Sequence, residues 1–205
     1  GIDESAQFFI FDGINKVQTG LNLINAQAIT AHCRMQKSDN EIALMQGAMN
    51  MTLAVHQATA SMLYEGISTT EVEAFIKQAH QKVGAPGNHF CIVLFGIATS
   101  FPHGVKDAQV LKVGDIVLID TGCKVHDYLS DITRTYVFGE PTGRQREFWN
   151  NEKSAQLAAF NAAQIGAPCE AVDAAARDYL ASQGLGPEYQ TPGCPHRTGH
   201  GIGLD

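Results

Sequence analysis

The feature that most constrains this chain is a pair of aspartates set in apolar, β-branched sequence. Asp120 follows the run at 116–119, and Asp131, eleven residues later, precedes the run at 132–137. Such runs form strands. An antiparallel hairpin centred near residues 125–126 would place the two aspartates opposite each other, with Cβ atoms about 4.5–5.5 Å apart. Two carboxylates so close in an apolar setting repel each other, so they need a shared proton, a basic partner or a bound cation.

Three interpretations of this pair remain open at this point. Both side chains could be exposed at strand ends, since Asp is rarely buried without a partner. The triplet Asp120-Thr121-Gly122 is also the aspartic-protease signature, but those enzymes need two such loops sharing a proton. This chain has one copy and much helical sequence, so only a homodimer of an all-β domain would serve. The third interpretation is a site for two metal ions.

Composition excludes several classes of function. A chain of 205 residues with 44% apolar content can bury one sizeable core. The net charge of −7 argues against nucleic-acid binding and against a membrane-surface role. No apolar stretch approaches the roughly 20 residues of a membrane span. The N-terminus lacks a signal-peptide pattern, and five cysteines without a CxxC pair favour reduced thiols, so we expect a cytoplasmic protein.

Helical spacing of apolar residues predicts two pairs of helices. Ser38 with Glu41, and Ser68 with Glu71, form capping boxes that open the first two helices. A buried strand is predicted over 90–95. A long helix should follow Gly143, and another should run from about Cys169 to Gln183. The candidates for the buried side of the long helix are its large apolar residues, Phe148, Trp149, Leu157, Phe160 and Ile165.

An internal repeat relates the two helix pairs at an offset of one hundred residues. Glycines and apolar residues match, and two charged positions keep their sign. The matching pairs are Gly66/Gly166, Val72/Val172, Ala74/Ala174, Gly84/Gly184, Glu73/Asp173 and Lys77/Arg177. The repeat predicts an α+β domain with pseudo-twofold symmetry, in which helix pairs cover one face of a sheet and the halves meet at a cleft.

Three histidines are candidates for chemistry. His103 lies between a proline and a glycine, so a rigid turn would present its ring. His196 and His200 are four residues apart, but the glutamate of a zinc helix is missing and the surrounding glycines oppose a helix. In an extended segment the two rings would share a face. His56 is interpreted as an ordinary packing or surface histidine of its helix.

The four fragments P-H-G, I-D-T-G, S-D-I-T-R-T and H-R-T-G-H-G-I-G-L-D, in this order, resemble the pita-bread metallopeptidases. Within that family they are most similar to the Xaa-Pro peptidases, prolidase and aminopeptidase P. The resemblance implies a pita-bread fold, a pseudo-twofold antiparallel sheet covered by two helix pairs, here incomplete. It also implies that residues 1–33 are the tail end of an N-terminal domain with its linker, and that residues 34–205 are a partial catalytic domain.

The same resemblance implies roles for five residues. Asp120 would bind one metal ion, Asp131 would bridge two, and His200 would bind the second. His103 and His196 would hold the substrate or stabilise the tetrahedral intermediate. Carboxylates with one imidazole suit two divalent ions, with Mn²⁺ favoured and Co²⁺ or Zn²⁺ as alternatives. Such ions, about 3.5–4 Å apart, would activate a bridging water.

The substrate implied is a peptide with proline in second position, and the full-length protein is expected to be a homodimer. The chain departs from the family pattern twice. Asp127 stands where the family usually has glycine, and the sequence ends before a further histidine and two glutamates that complete the metal positions. We therefore expect these 205 residues alone to bind metal weakly and to have little activity.

Three alternatives remain within the same fold. Methionine aminopeptidase shares the Asp, Asp, His set, although the sequences around His103 and His196 look more like the proline branch. Creatinase works without metal, and the retention of Asp120, Asp131 and His200 argues against it. A non-catalytic binding module with this fold would typically lose its metal ligands, three of which are present here.

Overall fold

The computed structural model describes residues 1–204. Over that range the chain forms helices, four strands and one 3₁₀ turn. The helices are α1 (Phe8–Val17), α2 (Gln27–Met35), α3 (Asp39–Met62), α4 (Thr69–Lys82), α5 (Gly143–Ala162) and α6 (Cys169–Ser182). The strands are β1 (Asn88–Phe95), β2 (Ile116–Val125), β3 (Tyr128–Leu129) and β4 (Ile132–Val137), and the 3₁₀ turn covers Gly96–Ser100. Within the described residues, none of the helices has the length and apolarity needed to cross a bilayer.

Capping chemistry sets where the long helices begin. The two predicted capping boxes are confirmed, since Ser38 and Ser68 each accept from the amide three residues on while the glutamate returns to the cap. A third box, which sequence reasoning missed, opens α5 with Thr142 and Gln145. Each box satisfies amides that would otherwise lack partners in the first turn.

The sheet confirms the α+β class and is organised around β2. Strands β1 and β4 pair with β2 on either side, both antiparallel. The short strand β3 pairs antiparallel with the last two residues of β2, next to the hairpin turn. Helices α3 and α4 pack on this sheet, and the main core lies between them. Its most buried members are the aliphatic residues Val55, Ile67, Val72, Ile76, Leu111, Val117 and Ile119, each at most 1% exposed.

The predicted register of the hairpin was wrong: Asp120 was expected opposite Asp131, but its partner lies two residues further along the chain. The hairpin turn is formed by His126 and Asp127, both with positive φ (47° and 69°), rather than by residues 125–126. Two residues in the left-handed region are the geometry of a tight two-residue hairpin turn, and Asp tolerates it. The turn is therefore kept although Asp127 replaces the usual glycine. Asp120 consequently pairs with Thr133, and Asp131 precedes Ile132, the partner of Thr121.

Gly122 explains why a glycine follows Asp120-Thr121. A Cβ built on Gly122 would collide with the carbonyl oxygen of Ser130, so the chain between β3 and β4 passes directly against this backbone. Glycine permits this close approach. The approach brings Asp131 alongside β2, which gives the Asp-Thr-Gly triplet a packing reason unrelated to aspartic proteases.

The two helix pairs follow the predicted repeat. Helices α4 and α6 begin and end one hundred residues apart, and α3 and α5 end at Met62 and Ala162. The predicted buried side of α5 was wrong. Phe148, Trp149, Leu157, Phe160 and Ile165 are 44–108% exposed, whereas small residues are buried against α6. This cluster contains Ala155, Ala159, Ala176 and Leu180. In the described residues, α5 and α6 therefore pack against each other through these small side chains.

Candidate metal centre

Asp120 in β2 and Asp131, which directly precedes β4, lie on the same side of the hairpin and interact. Thr133, which faces Asp120 across the ladder, donates its hydroxyl to Asp120 Oδ1 at 2.8 Å. Burial raises the pKa of Asp120, the Thr133 hydrogen bond lowers it, and the charge and hydrogen bonding of the Asp131 carboxyl raise it again. The pair thus shows the electrostatic conflict expected from its sequence setting, and a bound divalent cation would relieve it.

The imidazole of His200 completes this line of polar groups. Its Nε2 lies 3.3 Å from Asp131 Oδ2, and its Nδ1 lies 2.7 Å from the carbonyl oxygen of Gly201. Because a carbonyl only accepts, Nδ1 carries a proton, and Nε2 faces a carboxylate oxygen that is itself an acceptor. Two acceptors facing each other are satisfied only by a proton or a cation.

The tail is brought to the hairpin by a backbone contact. The amide of Leu129 in β3 donates to the carbonyl oxygen of Gly203 at 2.8 Å. As predicted, the segment around His196 and His200 is not helical, and it also forms no strand. Across residues 1–204, no three acidic, histidine or cysteine side chains converge in a metal-holding geometry. Asp120, Asp131 and His200 therefore stand as neighbouring oxygen and nitrogen donors, of the types that Mn²⁺, Co²⁺ and Zn²⁺ accept, and their role as ligands stays a prediction.

The other two predicted histidines meet each other. The rings of His103 and His196 lie 5.2 Å apart between centroids and cross at 70°. His196 Nδ1 lies 3.0 Å from the carbonyl oxygen of Arg197, so its Nε2 is the other nitrogen left for a ligand. Residues almost one hundred positions apart in sequence thus form one imidazole pair, which is suited to contact a single polar group of a substrate.

Sequence reasoning missed the ion pair that holds the tail. Arg177 on α6 bonds through Nε to Asp173 Oδ2 at 2.6 Å, and the hydroxyl and amide of Thr198 donate to Asp173 Oδ1 at 2.6 and 3.0 Å. The arginine and threonine hydrogen bonds lower the pKa of Asp173 to about 2. The spacing of four residues between an acid and an arginine on a predicted helix was the available signal.

Sequence reasoning also missed a buried hydrogen-bonded chain behind the hairpin. Thr52 Oγ1 lies 2.8 Å from Ser130 Oγ and 3.2 Å from His80 Nε2, while His80 Nδ1 lies 3.0 Å from the carbonyl oxygen of Ile76. Ser130 Oγ accepts from the amide of Cys123 at 2.8 Å. Burial lowers the pKa of His80, so the neutral ring can accept from Thr52. This network fixes Ser130, the residue that immediately precedes Asp131.

His56 on α3 also makes a hydrogen bond to the hairpin. It is 6% exposed, and its Nε2 lies 2.9 Å from the carbonyl oxygen of Ile132, next to Asp131. Burial lowers the pKa of His56, with the backbone hydrogen bond acting in the opposite direction. The interpretation of His56 as a packing histidine agrees with this position, and the structure adds a contact with the strand that carries the candidate site.

Comparison with known proteins identifies the family. Residues 43–205 match the model of metallopeptidase family M24. The chain belongs to this family. YkvY of Bacillus subtilis, provisionally named a dipeptidase, is 34% identical over 186 residues, covering 90% of this chain and 50% of its own length. An uncharacterized peptidase of Staphylococcus aureus strain USA300 is 34% identical over 169 residues, covering 82% and 47%. This M24 chain thus spans about half the length of the curated relatives it matches.

Solved structures agree with the family and its fold. The Xaa-Pro dipeptidase from Bacillus anthracis superposes with a TM-score of 0.89 at 31% identity, over 98% of this chain and 56% of that one. The prolidase from Pyrococcus horikoshii OT3 gives a TM-score of 0.91 at 30% identity, over 100% and 58%. The mixed helical and antiparallel architecture is therefore the pita-bread arrangement of these M24 proteins. The division into residues 1–33 and 34–205 stays a prediction.

Proposed function

We propose that this M24 protein hydrolyses the peptide bond between an N-terminal residue and proline, with two divalent metal ions. One observation supports it most: the hairpin and the tail bring Asp120, Asp131 and His200 side by side, with 3.3 Å between the His200 ring and the Asp131 carboxylate. The same three residues carry the resemblance to Xaa-Pro peptidases. The similar solved structures include proteins named Xaa-Pro dipeptidase and prolidase.

In this proposal the acidic pair and His200 would hold the metal ions, which supply Lewis acidity and an activated water. The chain's own contributions are separate. Thr133 keeps Asp120 oriented through its hydroxyl. The paired rings of His103 and His196 would contact the scissile carbonyl or its tetrahedral form, where an N–H donor stabilises developing negative charge. The proposed metal is Mn²⁺, with Co²⁺ or Zn²⁺ as alternatives, and the proposed partner is a peptide with proline second.

The test uses the full-length natural protein. Its metal ions are removed with a chelator, and Mn²⁺, Co²⁺ or Zn²⁺ is then added. Dipeptides and longer peptides with proline or alanine second are the substrates. We expect metal-dependent cleavage that prefers proline. D131N should lower kcat/KM at least about 100-fold, because losing a metal-bound carboxylate removes several kcal/mol of transition-state stabilisation. The matched control D178N changes an exposed aspartate of α6 and should leave the rate unchanged.

Three outcomes would refute the proposal. Cleavage after an N-terminal methionine without a need for proline would favour a methionine aminopeptidase. Absence of stoichiometric metal and of cleavage in the full-length protein would favour a binding module. Full activity of D131N would remove Asp131 from the site. The homodimer and the cytoplasmic location are further proposals, which sedimentation and cell fractionation would check.

A further inference from the structure

The segment that carries His196 and His200 has no secondary structure of its own, so something else must fix its position. After α6 the described chain forms only turns and bends. One side chain meets it repeatedly. Arg177 donates from Nη1 to the carbonyl oxygens of Glu188 and Cys194, both at 2.7 Å, and from Nη2 to that of His196 at 2.8 Å. Three separated points of the segment are therefore tied to one guanidinium.

Asp173 ties the same segment from the other side. It holds Arg177 through two hydrogen bonds, Nε to Oδ2 at 2.6 Å and Nη2 to Oδ1 at 3.2 Å. Its Oδ1 also accepts the amide and the hydroxyl of Thr198. The guanidinium and carboxylate thus grip the chain at His196 and at Thr198, and His200 follows two residues later.

Partial burial makes the Asp173–Arg177 ion pair stronger than an ordinary surface ion pair. The Arg177 side chain is 10% exposed and that of Asp173 is 31% exposed. The ring of Tyr189 covers the guanidinium, with its centroid 3.7 Å from the central carbon. Hydrogen bonds between charged groups are shorter and stronger than neutral ones, and shielding from water preserves them. By contrast, Arg146 meets Glu140 at 3.5 Å with both side chains mostly exposed.

We propose that Asp173 and Arg177, together called the clamp, are positioning residues. They place His196 opposite His103 and His200 beside Asp131. The planar guanidinium reaches Asp173 and three carbonyl groups at once. Lysine has one ammonium group on a flexible stem and offers no such fork. The proposal rests on the proposed function only where activity is measured, because the placement itself can be observed without substrate.

The experiment measures amide hydrogen exchange in the metal-free full-length protein, over peptides that cover residues 188–203 and, for comparison, residues 116–137. R177K should raise the exchange rate at 188–203 at least about tenfold, because it removes charge-assisted bonds, and should leave 116–125 unchanged. The matched control R146K makes the same substitution in the exposed pair and should change neither region. D173N should act like R177K, with D178N as its control on the same helix.

Unchanged exchange at 188–203 in R177K would overturn the proposal. Equal acceleration across the whole chain would also overturn it, since Arg177 would then stabilise the fold in general. Should R177K not fold, T198V decides the question, because it deletes only one hydroxyl bond to Asp173. T198V should accelerate exchange locally, and an unchanged rate would again contradict the clamp.

A second readout links position to the site. Titration with Co²⁺, followed by its visible absorption, should show about 10–100-fold weaker binding in R177K, the loss typical when a group that orients a metal ligand is removed. With Xaa-Pro substrate, kcat should fall in R177K while KM changes little. If the unmodified protein cleaves no Xaa-Pro peptide but R177K still loosens 188–203, the proposed function fails and the clamp stands.

Discussion

The two helix pairs of this chain share one sequence pattern but are stabilised by different interactions. Helices α3 and α4 bury large aliphatic side chains on the sheet, and Ile67, Ile76 and Ile119 are almost inaccessible. Helices α5 and α6 bury chiefly alanines against each other. The second pair also holds the histidine segment through a charged clamp, Asp173 with Arg177. The difference teaches that, within the described residues, the two copies of a repeat can keep the same helix bounds while they bury different side chains and make different polar contacts.

The largest expected effect comes from the aliphatic core. Ile76→Ala should lower the free energy of unfolding by about 2–5 kcal/mol, because it removes a fully buried side chain and leaves a cavity. The matched change Ile42→Ala, at a position that is 53% exposed, should cost less than about 1 kcal/mol. Urea unfolding of the full-length protein measures both. Equal losses in the two variants would show that the first region does not depend on burial as described.

A smaller effect should come from the buried polar chain of the first region. Thr52→Val removes the hydroxyl that joins His80 to Ser130, so two buried groups lose a partner at a cost of about 1–3 kcal/mol. Thr59→Val is the matched control on the same helix. Thr59 is also fully buried, but it bonds only to the carbonyl oxygen of Val55 within α3, so its replacement should be nearly neutral. Urea denaturation curves would distinguish them, and equal midpoints would argue against the network.

The smallest effect should be the acid response of the second region. The pKa of Asp173 is lowered from 3.8 to about 2 by its bonds to Arg177 and Thr198. A lowered folded-state pKa means that the clamp's contribution is complete above about pH 4 and disappears as the pH falls towards 2. Allowing for solvent screening, that contribution is roughly 1 kcal/mol.

Amide protection factors, which correct for the intrinsic pH dependence of exchange, should therefore fall at 188–203 between pH 4 and 2 before they fall at 116–125. Asp173→Asn should remove this pH dependence, and Asp178→Asn should retain it. If 188–203 keeps its protection at pH 2, or if D173N responds to acid like the unmodified protein, the second region does not rely on charge.

Local features of the fold could be predicted because they depend on neighbours in the sequence. The capping boxes at Ser38 and Ser68 involve residues three apart, and the ends of α4 and α6 follow from glycines at 84 and 184 that adopt positive φ. The apolar runs around Asp120 and Asp131 likewise predicted the strands that the structure contains.

Features that depend on two separated segments were predicted less well. The hairpin register moved by two residues because His126 and Asp127 form the turn, and the pattern of apolar residues alone does not fix which pair turns. The residues of α5 that are buried are alanines, which pack against α6. The sequence of one helix alone does not show which of its faces meets another helix. The resemblance to a family implied that His103 and His196 share a role, but their contact with each other was not predicted.

By itself the sequence determined the chemistry available: two carboxylates next to apolar, strand-forming runs, three candidate imidazoles, and helices that begin and end at specific residues. The tertiary structure decided which of these groups meet. Packing against Gly122 brings Asp131 beside β2, and a guanidinium on α6 secures the segment that presents His196 and His200. The physical reason is that residue identity is local, whereas the position of a chain without secondary structure depends on hydrogen bonds from elements distant in sequence.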